Sequence, residues 1–259
     1  MRLATLASGS SGNSTVISGG STSLLVDAGL SGKAIEQRLE SLEIEPKSLG
    51  GILVTHEHRD HTHGVGVLAR RYKLPVYVLE QCLPLLDTGV LPQVEVLSAG
   101  EALEIGELKL ELFETFHDSA ASTGLVCFHG ETKVGLATDT GMVSAGMVRK
   151  LQGCSGIVFE SNHDEEMLWQ GRYPHYLKRR IAASTGHLSN ADAGKALAEI
   201  ISKDAKRLVL AHLSEENNVP DLALQTVGNI LVDSGVPEIA PGLKIRTAPR
   251  HTPLAVGEL

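Results

Sequence analysis

Thr55-His56-Glu57-His58-Arg59-Asp60-His61 sets out an H-x-H-x-D-H pattern directly behind Gly51 to Val54, an apolar run that reads as a buried strand. Nitrogen and oxygen donors packed this closely on a loop at a strand end can fill two adjacent metal positions. Imidazole with carboxylate suits zinc, iron or manganese. A plain solvated loop rarely orders such residues this way behind a strand, so the stretch reads as a metal site.

Further donors stand at the ends of later apolar runs. His117 closes the alternating run Lys109 to Phe116, Asp139 follows Val134 to Ala137 in Ala-Thr-Asp-Thr-Gly, and His212 follows Arg207 to Ala211. Each alone would be an ordinary strand-end or turn residue. In this order behind the first cluster they extend the ligand set. Asp27, after Ser23 to Val26 and before Ala-Gly, occupies a similar position.

This series resembles the signature of the metallo-β-lactamase superfamily of hydrolases. The resemblance implies an α/β (α+β) fold, an αββα sandwich of two packed mixed β-sheets flanked by helices, with metals at one edge between the sheets. It implies that His56, His58 and His117 hold one divalent ion, that Asp60, His61 and His212 hold a second, and that Asp139 bridges them. Asp27 would support the ligands from behind. Two cations about 3.5–4 Å apart share a water, lower its pKa and stabilise charge on the attacked centre. The implied reaction is therefore a hydrolysis, with Asp60 at its catalytic centre. Two ions per chain, zinc or manganese, are expected. The ligands must be deprotonated, so binding should weaken as pH falls.

The 259 residues suffice for a sizeable core and contain no linker or low-complexity stretch, which suggests one domain over residues 1–259. The opening Met-Arg-Leu-Ala-Thr-Leu-Ala is too short an apolar run for a signal peptide or a membrane span, so a cytoplasmic protein is expected. Cys82, Cys127 and Cys154 are odd in number, far apart and set in apolar stretches, as reduced core thiols would be. Periodicity predicts strands over 3–7, 15–18, 23–26, 76–79, 103–105, 109–116, 125–129, 134–138, 156–160 and 207–211. It predicts helices over 33–42, 65–72, 145–151, 176–183, 191–201 and 222–234, with a capping box in Ser189 to Asp192.

Between Asp139 and His212 lie two segments outside the core ligand set, Ile157-Val158-Phe159-Glu160-Ser161-Asn162-His163-Asp164 and Gly186-His187-Leu188-Ser189-Asn190. Together with Ser8 to Asn13, Tyr173-Pro174 and His212 to Asn218 they resemble the YycJ (WalJ) subfamily of the same superfamily. That similarity implies a 5′-to-3′ exonuclease on double-stranded DNA, in which a metal-bridged hydroxide attacks phosphorus and DNA ends are the partner.

The residues suit phosphodiester chemistry. His187 precedes a helix start, where backbone N–H groups and the dipole favour a phosphate, and could protonate the leaving oxygen. His163 competes for that role or holds a terminal phosphate; either histidine could instead only cap a loop. Ser8, Ser10, Ser11 and Asn13, with Asn162 and Ser189, are candidate phosphate contacts, although Ser8 to Asn13 would look much the same as a plain hairpin turn.

The formal net charge of −8 lacks the basic footprint of a non-specific nucleic-acid binder. Two bound divalent ions would add about +4 at the site itself. Basic residues cluster at Arg70-Arg71-Tyr72-Lys73 and at Arg172 with Lys178-Arg179-Arg180, where a solvated helix face is the plainer reading. Four Tyr, four Phe and one Trp leave little for base stacking. Two other readings stand beside the nuclease. A small-molecule hydrolase of the same fold would cleave a cyclic phosphodiester, thioester or lactone in a closed pocket rather than an open groove. A non-catalytic metal-bound module would dock to a partner, which the complete ligand set disfavours. The sequence points to no particular protein partner.

Overall fold

The computed structural model describes residues 1–98 and 100–259. The first half of the chain builds one sheet and the second half builds another of equal size. Along the first half run β1 (Arg2–Ala7), β2 (Ser14–Gly19), β3 (Thr22–Val26), α1 (Gly32–Ser41), β4 (Leu49–Val54), α2 (Arg59–Thr62), α3 (Val65–Tyr72), β5 (Val76–Leu79) and β6 (Val94–Leu97). The second half holds β7 (Ala102–Ile105), β8 (Leu108–Glu114), β9 (Thr123–His129), β10 (Thr132–Ala137), α4 (Ala145–Leu151), β11 (Gly156–Glu160), α5 (Glu165–Gln170), α6 (His175–Ile181), α7 (Asn190–Ile200), β12 (Arg207–Ala211), α8 (Pro220–Asp233), α9 (Val236–Ile239) and β13 (Lys244–Thr247). A last strand, β14 (Leu254–Glu258), returns to pair with β1, giving the orders β14-β1-β2-β3-β4-β5-β6 and β13-β12-β11-β10-β9-β8-β7.

Each half changes from antiparallel to parallel pairing: β3, β4, β5 and β6 run parallel, as do β10, β11, β12 and β13. Parallel strands buried on both faces need apolar residues at successive positions. In the second sheet Val134, Leu136, Val158, Val209 and Ala211 pack into the layer shared with the first sheet. Ala137, Ile157, Phe159, Leu208 and Leu210 pack on the other face with Met147, Leu151, Leu197 and Val227 of α4, α7 and α8. Alternation with period 2 thus serves two cores at once. Parallel pairing also brings the C-terminal ends of these strands to one edge, so residues just beyond β3, β4, β10, β11 and β12 can meet.

The expected αββα sandwich is the observed one. The boundaries differ in places: β8 stops at Glu114, which leaves His117 three residues into a loop. Strands β6, β13 and β14 and helices α2, α5 and α9 have no counterpart in the periodicity reading. Those strands carry charged residues such as Glu95, Lys244, Arg246 and Glu258 and lie at or near sheet edges, where one side needs no apolar partner. Cys82, Cys127 and Cys154 are free and buried. Among the described residues no helix is long and apolar enough to cross a membrane.

Candidate metal centre

Strand register places the carboxylates. Val26 of β3 pairs with Leu53 of β4, so Asp27 comes beside Thr55, and its Oδ1 accepts from the Thr55 N–H at 2.8 Å while Oδ2 accepts from the Thr55 hydroxyl at 2.8 Å. The same Oδ2 also meets His61 Nδ1 at 2.7 Å. In the second sheet Ala137 pairs with Phe159, and Glu160 with Ala211, which sets the Glu160 carboxyl between Asp139 and His212.

Asp27, Asp139 and His212 all turn out of their strands with positive φ, at 60°, 58° and 57°. Left-handed backbone is uncommon for residues other than glycine and gathers at sites where a side chain must be aimed. The loop after β4 is tied to the loop after β3 by Asn13 N–H to Asp60 O at 2.7 Å and by Ala28 N–H to His61 O at 2.8 Å. Gly29 sits so close that a Cβ there would lie 1.7 Å from the Asp60 carbonyl oxygen, so only glycine fits.

The hydrogen bonds leave particular donor atoms free. His61 commits Nδ1 to Asp27, and its Nε2 meets Asn13 Nδ2 at 3.0 Å, with Asp139 Oδ2 at 3.3 Å and Asp60 Oδ2 at 3.7 Å. His212 commits Nδ1 to Glu160 at 2.9 Å, His56 commits Nδ1 to the Thr55 hydroxyl at 3.1 Å, and His117 commits Nδ1 to the Gly186 carbonyl at 3.2 Å. His117 Nε2 then faces His58 Nδ1 at 3.3 Å. His56 Nε2, His212 Nε2 and Asp139 Oδ2 are buried with no hydrogen-bond partner. Buried polar atoms are nearly always paired, so three orphans aimed into one spot mark a place for a cation. His56, His58 and His117 converge as one donor group, Asp60, His61 and His212 as another, and His56, His61 and Asp139 as a third. Imidazole held by carboxylate or carbonyl on its far nitrogen is how metal-binding histidines are oriented.

Electrostatics agree with that fit. Burial opposes charge on Asp139, yet His212 and His61 beside it hold its carboxyl well below the usual range. Burial likewise opposes charge on His212, but Asp139 and Glu160 lift it to about 9, and Asp139 with Asp27 lifts His61 well above the ordinary value. The carboxylates thus favour positive charge at the spot. His56, buried and ringed by imidazoles, is pushed well below the ordinary value and stays a neutral donor.

Glu160 is the functional residue that the sequence reading quoted without giving it a role. It is fully buried and bonds His187 Nδ1 at 2.7 Å, His212 Nδ1 at 2.9 Å and the Thr140 N–H at 2.8 Å. Burial raises its pKa, but the two histidines outweigh this and bring it to about 2. Its signal was positional: it ends β11 just as Ala137 and Ala211 end the strands that lead to Asp139 and His212.

A cavity of about 270 Å³ opens over the cluster, walled by His58, Asp60, His117, Asp139, His187 and His212 on one side and by Tyr173, Leu177, Arg180 and Ile181 on the other. Among the expected phosphate contacts, Ser10 and Asn162 line it. Ser8 does not: its hydroxyl accepts from the His212 N–H at 2.7 Å. Asn13 accepts from Gly9 N–H and faces Asp60 and His61, which makes it part of the ligand frame. Ser11 lies outside the cavity wall, and Ser189 caps α7 through the Asp192 N–H. The N–H groups at the start of α7 are also engaged, Leu188 with Glu160 and Asn190 with the His163 carbonyl, so the expected phosphate seat at that helix start is filled by the protein's own acceptors. His163 is buried, 2% exposed, and off the cavity wall.

The fold and this centre define a metal-dependent hydrolase of the metallo-β-lactamase kind. The family model described as "Beta-lactamase superfamily domain" matches residues 22–213. The chain is 43% identical to exodeoxyribonuclease YycJ of Bacillus anthracis over 239 residues, covering 91% of this chain and 90% of that protein. It is 39% identical over 235 residues to exodeoxyribonuclease WalJ of Streptococcus pneumoniae, covering 88% and 87%. In structure it is similar to the metallo-β-lactamase fold protein YhfI of Bacillus subtilis, with a TM-score of 0.72 at 15% identity over 98% of this chain and 100% of that one. The chain belongs to the β-lactamase superfamily and, within it, to the group of YycJ and WalJ.

Proposed function

We propose that this protein is a dinuclear 5′-to-3′ exonuclease acting on the ends of double-stranded DNA in the cytoplasm, built as one domain. Near full-length similarity to two exodeoxyribonucleases supports the substrate. The observation that carries the chemistry is the convergence of His56, His212 and Asp139, each with an unpartnered buried donor atom, under a cavity bordered by His187. In this reading His56, His58 and His117 would hold one ion and Asp60, His61 and His212 the other, with Asp139 available to both. Two divalent ions, zinc or manganese, would supply a water acidified to near neutrality and positive charge for the phosphate oxygens.

The side chains do the rest. Glu160 accepts from His187 Nδ1–H and fixes the ring so that Nε2 is the nitrogen left for substrate. His187 is half-buried on the cavity wall, with ring centroids 5.0 Å from both His117 and His212, and donates a proton to the leaving oxygen. Ser10 borders the same space and contacts the phosphate, whereas Asn162, also on the wall, is 4% exposed and donates from Nδ2 to the His212 carbonyl at 2.8 Å. Ser8, Asn13 and Ser189 serve the frame instead. His163, off the wall, is neither the proton donor nor a phosphate contact.

Metal-loaded protein incubated with linear duplex DNA, covalently closed circles, a cyclic phosphodiester and a thioester tests the reading. Degradation of the linear DNA from its 5′ ends with the circles intact is the expected result. Circles cut as fast as linear DNA, or turnover confined to the small substrates, overturns it.

A further inference from the structure

The acidic composition and scarcity of aromatic residues argue against base stacking, but placement reverses that argument. Among the described residues the only exposed Phe, Tyr or Trp side chains are Trp169 and Tyr176, 47% and 69% exposed; Tyr176 is on α6, which walls the cavity, and Trp169 is on α5, the helix just before it. Tyr173, just ahead of α6, and Leu177, Arg180 and Ile181 of α6 line the cavity, the three helical residues at the spacing of one face. Tyr176 stands three and four residues before Arg179 and Arg180, so an aromatic ring and two guanidinium groups share the shoulder just outside.

The segment is braced rather than loose. Lys178 Nζ donates to the Trp169 carbonyl at 2.8 Å, and the Trp169 and His175 rings lie 6.0 Å apart. Arg180 Nε meets Asp118 Oδ2 at 2.5 Å across the mouth, while Arg179 is exposed and forms no ion pair among the described residues. Alternating aromatic and cationic groups beside a metal-binding cavity are what a single strand needs: a ring for each base face and a cation for each phosphate. The cavity, about 270 Å³, falls below the usual size even of small-molecule pockets and has no room for a paired duplex.

We infer that α5–α6 is a strand-gripping wall, and that the nucleic acid enters as an unpaired 5′-terminal strand with its bases stacked on Tyr176 and Trp169 and its phosphates on Arg179 and Arg180. This rests on the nuclease reading above and sharpens it: the end must be frayed or single-stranded where it is cut.

Trp169 is the sole tryptophan, so its fluorescence reports the contact directly. Titrating metal-loaded protein with a phosphorothioate-linked, 5′-phosphorylated single strand should quench that emission, and the same sequence as a blunt duplex should quench it less. Tyr176→Ala and Trp169→Ala should each raise KM for DNA by about 5- to 100-fold. Arg179→Glu should raise it too. Turnover of bis-p-nitrophenyl phosphate should not change in any of them, which also shows that the variants are folded. Duplexes with a 5′ overhang or mismatched end should be degraded faster than blunt ones. Unaltered KM in both aromatic variants on DNA that the wild type degrades, or no quenching by single strand, overturns the inference while leaving the nuclease reading in place. A wild type that degrades no DNA at all fails the nuclease reading first and this inference with it.

Discussion

The floor and the far wall of the cavity are built on opposite principles. On the floor His56, His61, Asp139 and His212 are at most 2% exposed, each imidazole is fixed through its second nitrogen, and the carboxylate and histidine that turn out of strands β10 and β12 do so on left-handed backbone. On the wall Tyr176, Arg179 and Arg180 stand exposed on a seven-residue helix. Donors for two cations must be held to within about half an ångström, and burial strengthens every charge they carry. A grip on a polymer needs reach and tolerance of sequence. The difference suggests that chemistry and substrate choice are separable in this molecule, so that changes on the floor abolish turnover of every substrate while changes on the wall affect only large ones.

The most severe way to break that division is at the ligands. His56→Ala with His117→Ala should lose chiefly one metal per chain by elemental analysis, and Asp60→Ala with His212→Ala the other. Turnover should vanish in both pairs, for bis-p-nitrophenyl phosphate as for DNA. Stoichiometry unaffected by either pair would dissolve the floor as assigned.

Next in size is His187, which touches both regions. His187→Ala should retain both metals and lose about 10²- to 10⁴-fold in kcat on DNA, the usual cost of a general acid. A substrate with p-nitrophenolate as leaving group needs no proton and should be spared. Glu160→Gln should cause a smaller version of the same loss by letting the ring turn, and should weaken metal binding by about 10- to 100-fold, because Glu160 also orients His212. Asp139, Glu160, His187 and His212 are themselves close enough to form a donor group. Loss of a metal in His187→Ala would therefore move this histidine from proton transfer to the ligand set.

The contrast between floor and wall also governs what the sequence disclosed. Strand-end donors were legible because parallel strands of alternating apolar residues bring their ends together whatever the loops do; Asp139 and His212 stand out not by position alone but by their order behind the cluster that begins at His56. Glu160 obeyed the same rule but was hidden in a run of unassigned polar residues, since its partners His187 and His212 lie 27 and 52 residues away. Ser8 and Asn13 looked like phosphate contacts because small polar residues in a turn suit either an anion or the protein's own backbone. Which of the two they serve depends on the neighbouring loop, supplied by His212 in one case and Asp60 in the other. The wall was least legible: a basic run on a short helix is ordinary surface until Tyr173 and Leu177 are seen lining the cavity beside it.

His163 marks the point where floor passes into wall, between Glu160 at the end of β11 and Asp164, whose side chain caps α5 through the Met167 N–H at 2.9 Å. Its carbonyl receives the Asn190 N–H, and its Nδ1 is buried without a partner. Burial brings its pKa down to about 4, against only partial relief from Glu160. The unfolded chain takes up a proton near the ordinary value of about 6.5, whereas the folded protein refuses it until much lower pH. Folding is therefore unaffected by this group at neutral pH, is increasingly penalised as pH falls from about 6.5 towards about 4, and is penalised no further below that. Comparison with His163→Gln cancels the pH dependence of the remaining groups. Between about pH 7.5 and about pH 5 the wild type should lose about 2 kcal/mol more unfolding free energy than the variant in urea titrations. Equal losses would mean that His163 gains a partner or solvent when protonated and that the junction between floor and wall opens. In that case the two regions would move together, and the separation of chemistry from grip would fail at this residue.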